Sequence, residues 1–120
     1  MIHKVLVVDD SVLELENLKK IISNEGYQVI SAVSGKEAVE KAKSMQPDLI
    51  FMDVIMDDQD GFQACREITA DRLTKDIPVI FVTGKSQKVD RVWAGLQGGK
   101  ALIAKPYTPD QIISQINRYS

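Results

Sequence analysis

The stretch Lys4-Val-Leu-Val-Val-Asp-Asp10-Ser-Val-Leu-Glu-Leu-Glu-Asn-Leu-Lys-Lys-Ile-Ile22 decides the fold. Its first five residues are apolar almost throughout and rich in valine, the pattern of a strand covered on both faces. After the acidic pair the period changes. Val12, Leu15, Leu18 and Ile22 then recur on one helical face, and Gly26 closes the segment. The stretch therefore predicts a strand, a short turn bearing carboxylates, and an amphipathic helix.

The same change of period repeats downstream. Strands are expected at Gln28–Ser31, Leu49–Met52, Val79–Val82 and Ala101–Ala104. Between them lie helical segments. Ser34-Gly-Lys-Glu37 is a capping-box pattern ahead of Ala38, Val39, Ala42 and Met45, and Pro47 stops that helix. Asp60-Gly-Phe-Gln63 opens a third helix carrying Cys65 and Ile68. A fourth carries Val89, Val92, Trp93 and Leu96 and ends at Gly98-Gly99. Thr108-Pro-Asp-Gln111 caps a fifth, with Pro109 at its first position and Ile112, Ile113 and Ile116 facing inward. Repeated βα units of this length predict an α/β fold: one parallel sheet, doubly wound, in a single domain over residues 1–120.

Bulk composition agrees. A chain of 120 residues suits one core, and 44% hydrophobic with 27% charged residues is ordinary for a globular domain. The single cysteine, Cys65, forms no internal disulfide and reads as a buried apolar side chain. A net charge of −2 gives no footprint for nucleic acid. No run reaches the ~20 apolar residues of a membrane span, and no signal peptide opens the chain, so a cytoplasmic protein is expected.

In a parallel sheet every strand ends on the same edge, and ligands gather there. Strand one ends in Asp9-Asp10-Ser11, strand three at Asp53, strand four at Thr83-Gly84 and strand five at Lys105-Pro106. Strand two, ending in Ser31-Ala-Val, offers nothing. Each residue alone has a plainer reading: Asp9, Asp10 or Ser11 caps the first helix, Asp53 caps a loop, Thr83 lies in a turn and Lys105 is solvated. Their joint occurrence at four strand ends is what carries meaning. Three carboxylates in one place repel, and a hard divalent cation such as Mg²⁺ removes the conflict with oxygen ligands. A carboxylate beside that ion is a competent nucleophile toward phosphorus, giving an aspartyl phosphate on Asp53. Lys105 is then placed to neutralise one phosphoryl oxygen, and Thr83 or the Gly84 N–H to bond another.

This set resembles the signature of the response-regulator receiver domain of two-component and chemotaxis pathways. The likeness runs from the first strand to the last helix, and Gly61 also falls where that family has a glycine. The resemblance implies a flavodoxin-like sheet in the order 2-1-3-4-5. It implies that Asp53 is the phosphoacceptor. Asp10 and Asp53 would contact Mg²⁺, with Asp9 assisting partly through water and the Ile55 backbone carbonyl as a further ligand. Thr83 and Lys105 would bind phosphoryl oxygens, and the Lys105–Pro106 peptide would be cis. The phosphodonor would be a histidine kinase or phosphotransfer protein. Output would be binding to a partner through the helix 4–strand 5–helix 5 face by a monomer, without further enzymatic activity. Gly61-Phe-Gln-Ala-Cys-Arg-Glu-Ile-Thr69, Ile77-Pro-Val-Ile-Phe-Val-Thr-Gly-Lys85, Val92-Trp93 and Gln97-Gly98 resemble, more narrowly, the stand-alone Pil-type receivers of type IV pilus, twitching and phototaxis pathways.

Two positions depart from the family pattern. Leu102 stands where an aromatic residue is common, so a switch by ring rotation is excluded; signal transfer would pass through the 83–88 loop and the fourth helix, or Leu102 simply packs in the core and switching is weaker. Asp57 stands where proline is common, in an acidic loop. Ile55 and Lys85 occupy positions that tune phosphoryl lifetime. Trp93 is expected in the core, Tyr107 between the fifth strand and helix, and His3 is expected to have no chemical role. Three rival readings remain. A pseudo-receiver would bind partners without phosphorylation, and a phosphate sink would take the phosphoryl group without passing a signal on. A small Asp-dependent phosphatase would want its second acid two residues after the first, where Ser11 stands. A nucleotide or flavin module would want a glycine- or hydroxyl-rich loop after strand one.

Overall fold

The computed structural model describes residues 1–56, 60–84 and 91–120, with the side chains of Arg91 and Trp93 left aside. Expectations for Asp57, Lys85, Val89 and the Trp93 side chain lie outside the described residues. The elements alternate in chain order: β1 (Lys4–Val8), α1 (Val12–Ser23), β2 (Gln28–Ala32), α2 (Gly35–Met45), β3 (Leu49–Asp53), α3 (Gly61–Ala70), β4 (Val79–Thr83), α4 (Arg91–Leu96), β5 (Ala101–Ala104) and α5 (Pro109–Arg118). Among the described residues the strands form one sheet in the order β2-β1-β3-β4-β5, and every pairing is parallel.

The sheet divides the core into two layers, because successive side chains on a strand point to opposite faces. Val5, Val7, Leu49, Phe51, Ile80, Val82 and Ile103 pack with α1 and α5 through Leu15, Leu18, Ile22, Ile112 and Ile116. Leu6, Val8, Ile50, Met52, Val79 and Phe81 pack with α2, α3 and α4 through Ala38, Ala42, Ala64, Cys65, Ile68 and Ala94. The all-buried runs of β3 and β4 are thus explained by helices on both sides. Cys65 is fully buried, as its apolar reading required, and burial pushes its thiol up to about 12.

The helix starts follow local chemistry. Ser11, Ser34, Asp60 and Thr108 each accept a bond from the backbone N–H three residues on. In α5 the capping box is complete. In α2 the return bond shifts by one residue: the Glu37 carboxylate accepts from Val33 N–H at 2.7 Å.

Several expected inward residues face solvent. Val12 is 65% exposed, because it is the first residue of α1 and lies beyond the sheet edge. Met45 is the last residue of α2 and is exposed for the same reason. In α4, Val92 and Leu96 are exposed, and among its described side chains the small Ala94 meets the sheet. The close approach there is visible at Gly99, where a Cβ would lie 2.4 Å from the Phe81 ring. Ile113 is only half-buried, and Tyr107 is half-buried against the α1/α5 layer. No helix among the described residues is long and apolar enough to cross a membrane.

Candidate phosphoryl and metal site

Three strands run one residue further than expected, so that Asp53 and Thr83 are the last residues of β3 and β4. Both are thereby held by the ladder and not by a loop. Asp53 pairs in register with Val82, and Thr83 with Ala104, next to Lys105. The Lys105 N–H donates to the Thr83 carbonyl at 2.6 Å, and the Lys105–Pro106 peptide is cis. Asp9 directly follows β1, and its N–H donates to the Ala32 carbonyl of β2.

Gly61 explains how the β3–α3 connection can close over this edge. Its N–H donates to the Val54 carbonyl at 2.6 Å, and a Cβ on it would stand 2.1 Å from the Asp53 carbonyl oxygen. Only glycine permits that approach. Because Ser11 takes the cap of α1, the two aspartates beside it are spared that task. One Asp9 oxygen accepts from Ser11 N–H at 2.9 Å, which fixes the carboxylate, and the other faces the site.

The residues named from the sequence converge. Asp9, Asp10 and Asp53 each offer a carboxylate oxygen, and these atoms lie within 4.8 Å of one another. Asp9, Asp53 and Thr83 are buried; Asp10 is exposed at the rim. Lys105 Nζ lies 3.0 Å from Asp9 Oδ2 and 3.6 Å from Asp53 Oδ1. Ile55 is exposed beside the cluster in sequence, two residues beyond Asp53.

Electrostatics follow from this crowding. Burial, and then the charge of Asp9, push Asp53 up to about 6, against the opposing pull of Lys105 and the Val54 N–H. Burial disfavours the Lys105 ammonium, but the bonds to Glu14 and Asp9 and the charges of Asp53 and Asp9 outweigh it and hold its pKa above the usual lysine value. The cluster thus carries more negative charge than one ammonium offsets. An all-oxygen, carboxylate-rich donor set with room at an exposed rim fits a hard cation such as Mg²⁺.

Sequence reasoning missed Glu14. Its Oε2 lies 3.0 Å from Lys105 Nζ, as close as Asp9. The only local signal was its place three residues after Ser11, where a glutamate ordinarily reads as part of a helix cap.

Comparison with known proteins extends these observations. Residues 5–117 match the family described as response regulator receiver domain. The chain is 39% identical over 114 residues to Protein PilH of Pseudomonas aeruginosa, covering 95% of this chain and 94% of that one. It is 34% identical over 118 residues to chemotaxis protein CheY of Thermotoga maritima, covering 98% and 97%. Among solved structures, the receiver domain of the sensor histidine kinase PA1611 of Pseudomonas aeruginosa superposes with a TM-score of 0.89 at 26% identity, covering 99% of this chain and 98% of that one. That structure contains a magnesium ion coordinated in its active-site cleft. With the family match spanning residues 5–117 and the strand order in agreement, the chain belongs to the response regulator receiver domain family.

Proposed function

We propose that this protein is a phosphorylation-driven signalling switch whose phosphoacceptor is Asp53. The observation that carries the reading is the convergence of Asp9, Asp10, Asp53 and Lys105 on one sheet edge. Asp53 is buried at the end of β3, with the Lys105 ammonium 3.6 Å from its Oδ1. Asp10 and Asp53 would hold Mg²⁺ with Asp9 assisting, and the Ile55 carbonyl would be a further ligand. The bound ion would supply positive charge against the carboxylates and the phosphoryl oxygens.

In the forward step an Asp53 carboxylate oxygen attacks phosphorus. The O–P bond forms as the bond to the donor's leaving group breaks, whether that group is an imidazole or an acyl oxygen. Lys105 neutralises one phosphoryl oxygen, and the Thr83 hydroxyl donates to another. In the separate hydrolytic step water attacks the same phosphorus. The Asp53 O–P bond breaks, the carboxylate returns, and inorganic phosphate leaves with the water's protons. A histidine kinase or phosphotransfer protein is the donor. Output is protein binding at the α4–β5–α5 face, where Val92 and Leu96 stand exposed on α4. The identity with Protein PilH supports a place among Pil-type receivers, and hence in a type IV pilus pathway.

The test is intact-mass measurement after incubation with acetyl phosphate and Mg²⁺, beside Asp53→Asn. A single phosphoryl adduct, dependent on Mg²⁺ and absent from the variant, is the expected result. Adduct formation on the variant would move the acceptor elsewhere, and no adduct on either would leave a receiver fold that signals by binding alone.

A further inference from the structure

Lys105 has three N–H donors, and the structure shows how they are shared. Asp9 Oδ2 and Glu14 Oε2 each lie 3.0 Å from Nζ, within hydrogen-bond range. Asp53 Oδ1 lies at 3.6 Å, an ion-pair distance but too long for a hydrogen bond. The ammonium is therefore drawn toward α1, and the acceptor carboxylate receives the weakest of its three contacts.

The two close partners differ in kind. The Asp9 side chain is 6% exposed, and its other oxygen is tied to Ser11 N–H. It has no freedom to leave. The Glu14 side chain is 47% exposed, stands in the first turn of α1, and has a longer stem that can turn to water. Any group that needs a donor from Lys105 can displace Glu14 far more readily than Asp9.

We infer that Glu14 is a positioning residue that competes with the phosphoryl group for Lys105 and so sets how firmly the site holds a phosphoryl group. The inference rests on the reading of Asp53 as phosphoacceptor. Phosphoryl transfer itself proceeds by the bond changes given above. Glu14 touches neither phosphorus nor the reacting oxygen. It acts by holding the lysine that must reach a phosphoryl oxygen. Removing its charge releases that lysine, and also removes a negative charge from the approach of an anionic ligand.

The experiment titrates beryllofluoride, a phosphoryl analogue, into the protein with Mg²⁺ and follows binding by calorimetry. Wild type, Glu14→Gln and Glu16→Gln are compared. Glu16 lies on the same helix, is exposed and pairs with Lys19 at 3.4 Å, so its variant makes the same change in net charge without touching Lys105. Glu14→Gln should bind beryllofluoride roughly two- to fivefold more tightly, the size expected when a half-exposed ion pair no longer competes. Glu16→Gln should match wild type. Melting curves confirm that all three are folded. Unchanged or weaker binding by Glu14→Gln overturns the inference, as does an equal gain in both variants, which would be a net-charge effect. If wild type neither binds beryllofluoride nor takes phosphoryl from acetyl phosphate, the phosphoacceptor reading fails, and the inference falls with it.

Discussion

Replacing Asp53 with asparagine should stabilise the metal-free protein at neutral pH, although it removes the proposed phosphoacceptor. In the folded chain Asp53 is pushed up to about 6 from an ordinary 3.8, by burial and by Asp9. A raised carboxylate pKa means that the folded state holds the proton more tightly than the unfolded state does. The corresponding stability is complete below the unfolded pKa and is lost as pH rises from about 4 through about 6. At about 1.4 kcal/mol per pKa unit the shift corresponds to roughly 3 kcal/mol, and solvent at the open rim reduces this to about 1–2 kcal/mol. Asparagine is neutral at every pH and nearly the same shape, so Asp53→Asn should recover that amount at pH 7.5. For a chain of this size the gain is about 4–8 °C in Tm. The assay is a set of thermal melts of both proteins from pH 4 to pH 8 in chelator. The difference should be near zero at pH 4 and grow through pH 6 to a plateau. Adding Mg²⁺ at pH 7.5 should raise the wild-type Tm more than the variant's. A variant less stable than wild type at pH 7.5, or a gain that is the same at all pH values, would refute the reasoning.

Gly61→Ala should cost about 2–3 kcal/mol and lower phosphoryl uptake, because the new Cβ would sit 2.1 Å from the Asp53 carbonyl oxygen and force β3 or α3 to move; denaturant titration and adduct mass check both. Ile55→Asn should shorten the lifetime of the phosphorylated form by a few-fold, about the effect of one added polar group that can orient attacking water, since this exposed apolar side chain stands two residues from Asp53; an unchanged decay of adduct mass would count against it. Cys65 should resist alkylation at pH 8 in the native state, because it is fully buried and its pKa is pushed up to about 12. Labelling should become fast only in denaturant, and rapid native labelling would contradict the packing.

Much of this fold was legible because strand and helix periods alternate cleanly, and because buried parallel strands have no polar face to confuse the reading. The site was legible for a related reason. A parallel sheet turns a statement about sequence into one about space, since all strand ends share one edge. Asp9, Asp53, Thr83 and Lys105 could therefore be grouped without coordinates. What escaped was set by packing. Val92 and Leu96 fit a helical stripe, but in α4, described over Arg91–Leu96, it is Ala94 that meets the sheet while Val92 and Leu96 turn outward. Val12 and Met45 fail because a helix's apolar stripe outruns the sheet at its ends. Glu14 was hidden because its local position suggests a cap. Its partner, Lys105, is 91 residues away, and only the placement of α1 beside the end of β5 brings them together.

That separation has a consequence for how the molecule is made. The acidic cluster is drawn from β1 and β3, the middle of the sheet, whereas its compensating ammonium arrives with β5, an edge strand docked on β4. A chain in which the first three strands have paired but the fifth has not would hold three carboxylates together with no lysine among them. Mutual repulsion would then loosen β1 from β3 until the edge strand docked or a cation from solution took its place. Docking of the last strand thus eases an electrostatic fault at the centre of the sheet. Divalent cations in the refolding buffer should accordingly speed recovery of the native state, and should do so less once Asp53 is neutralised.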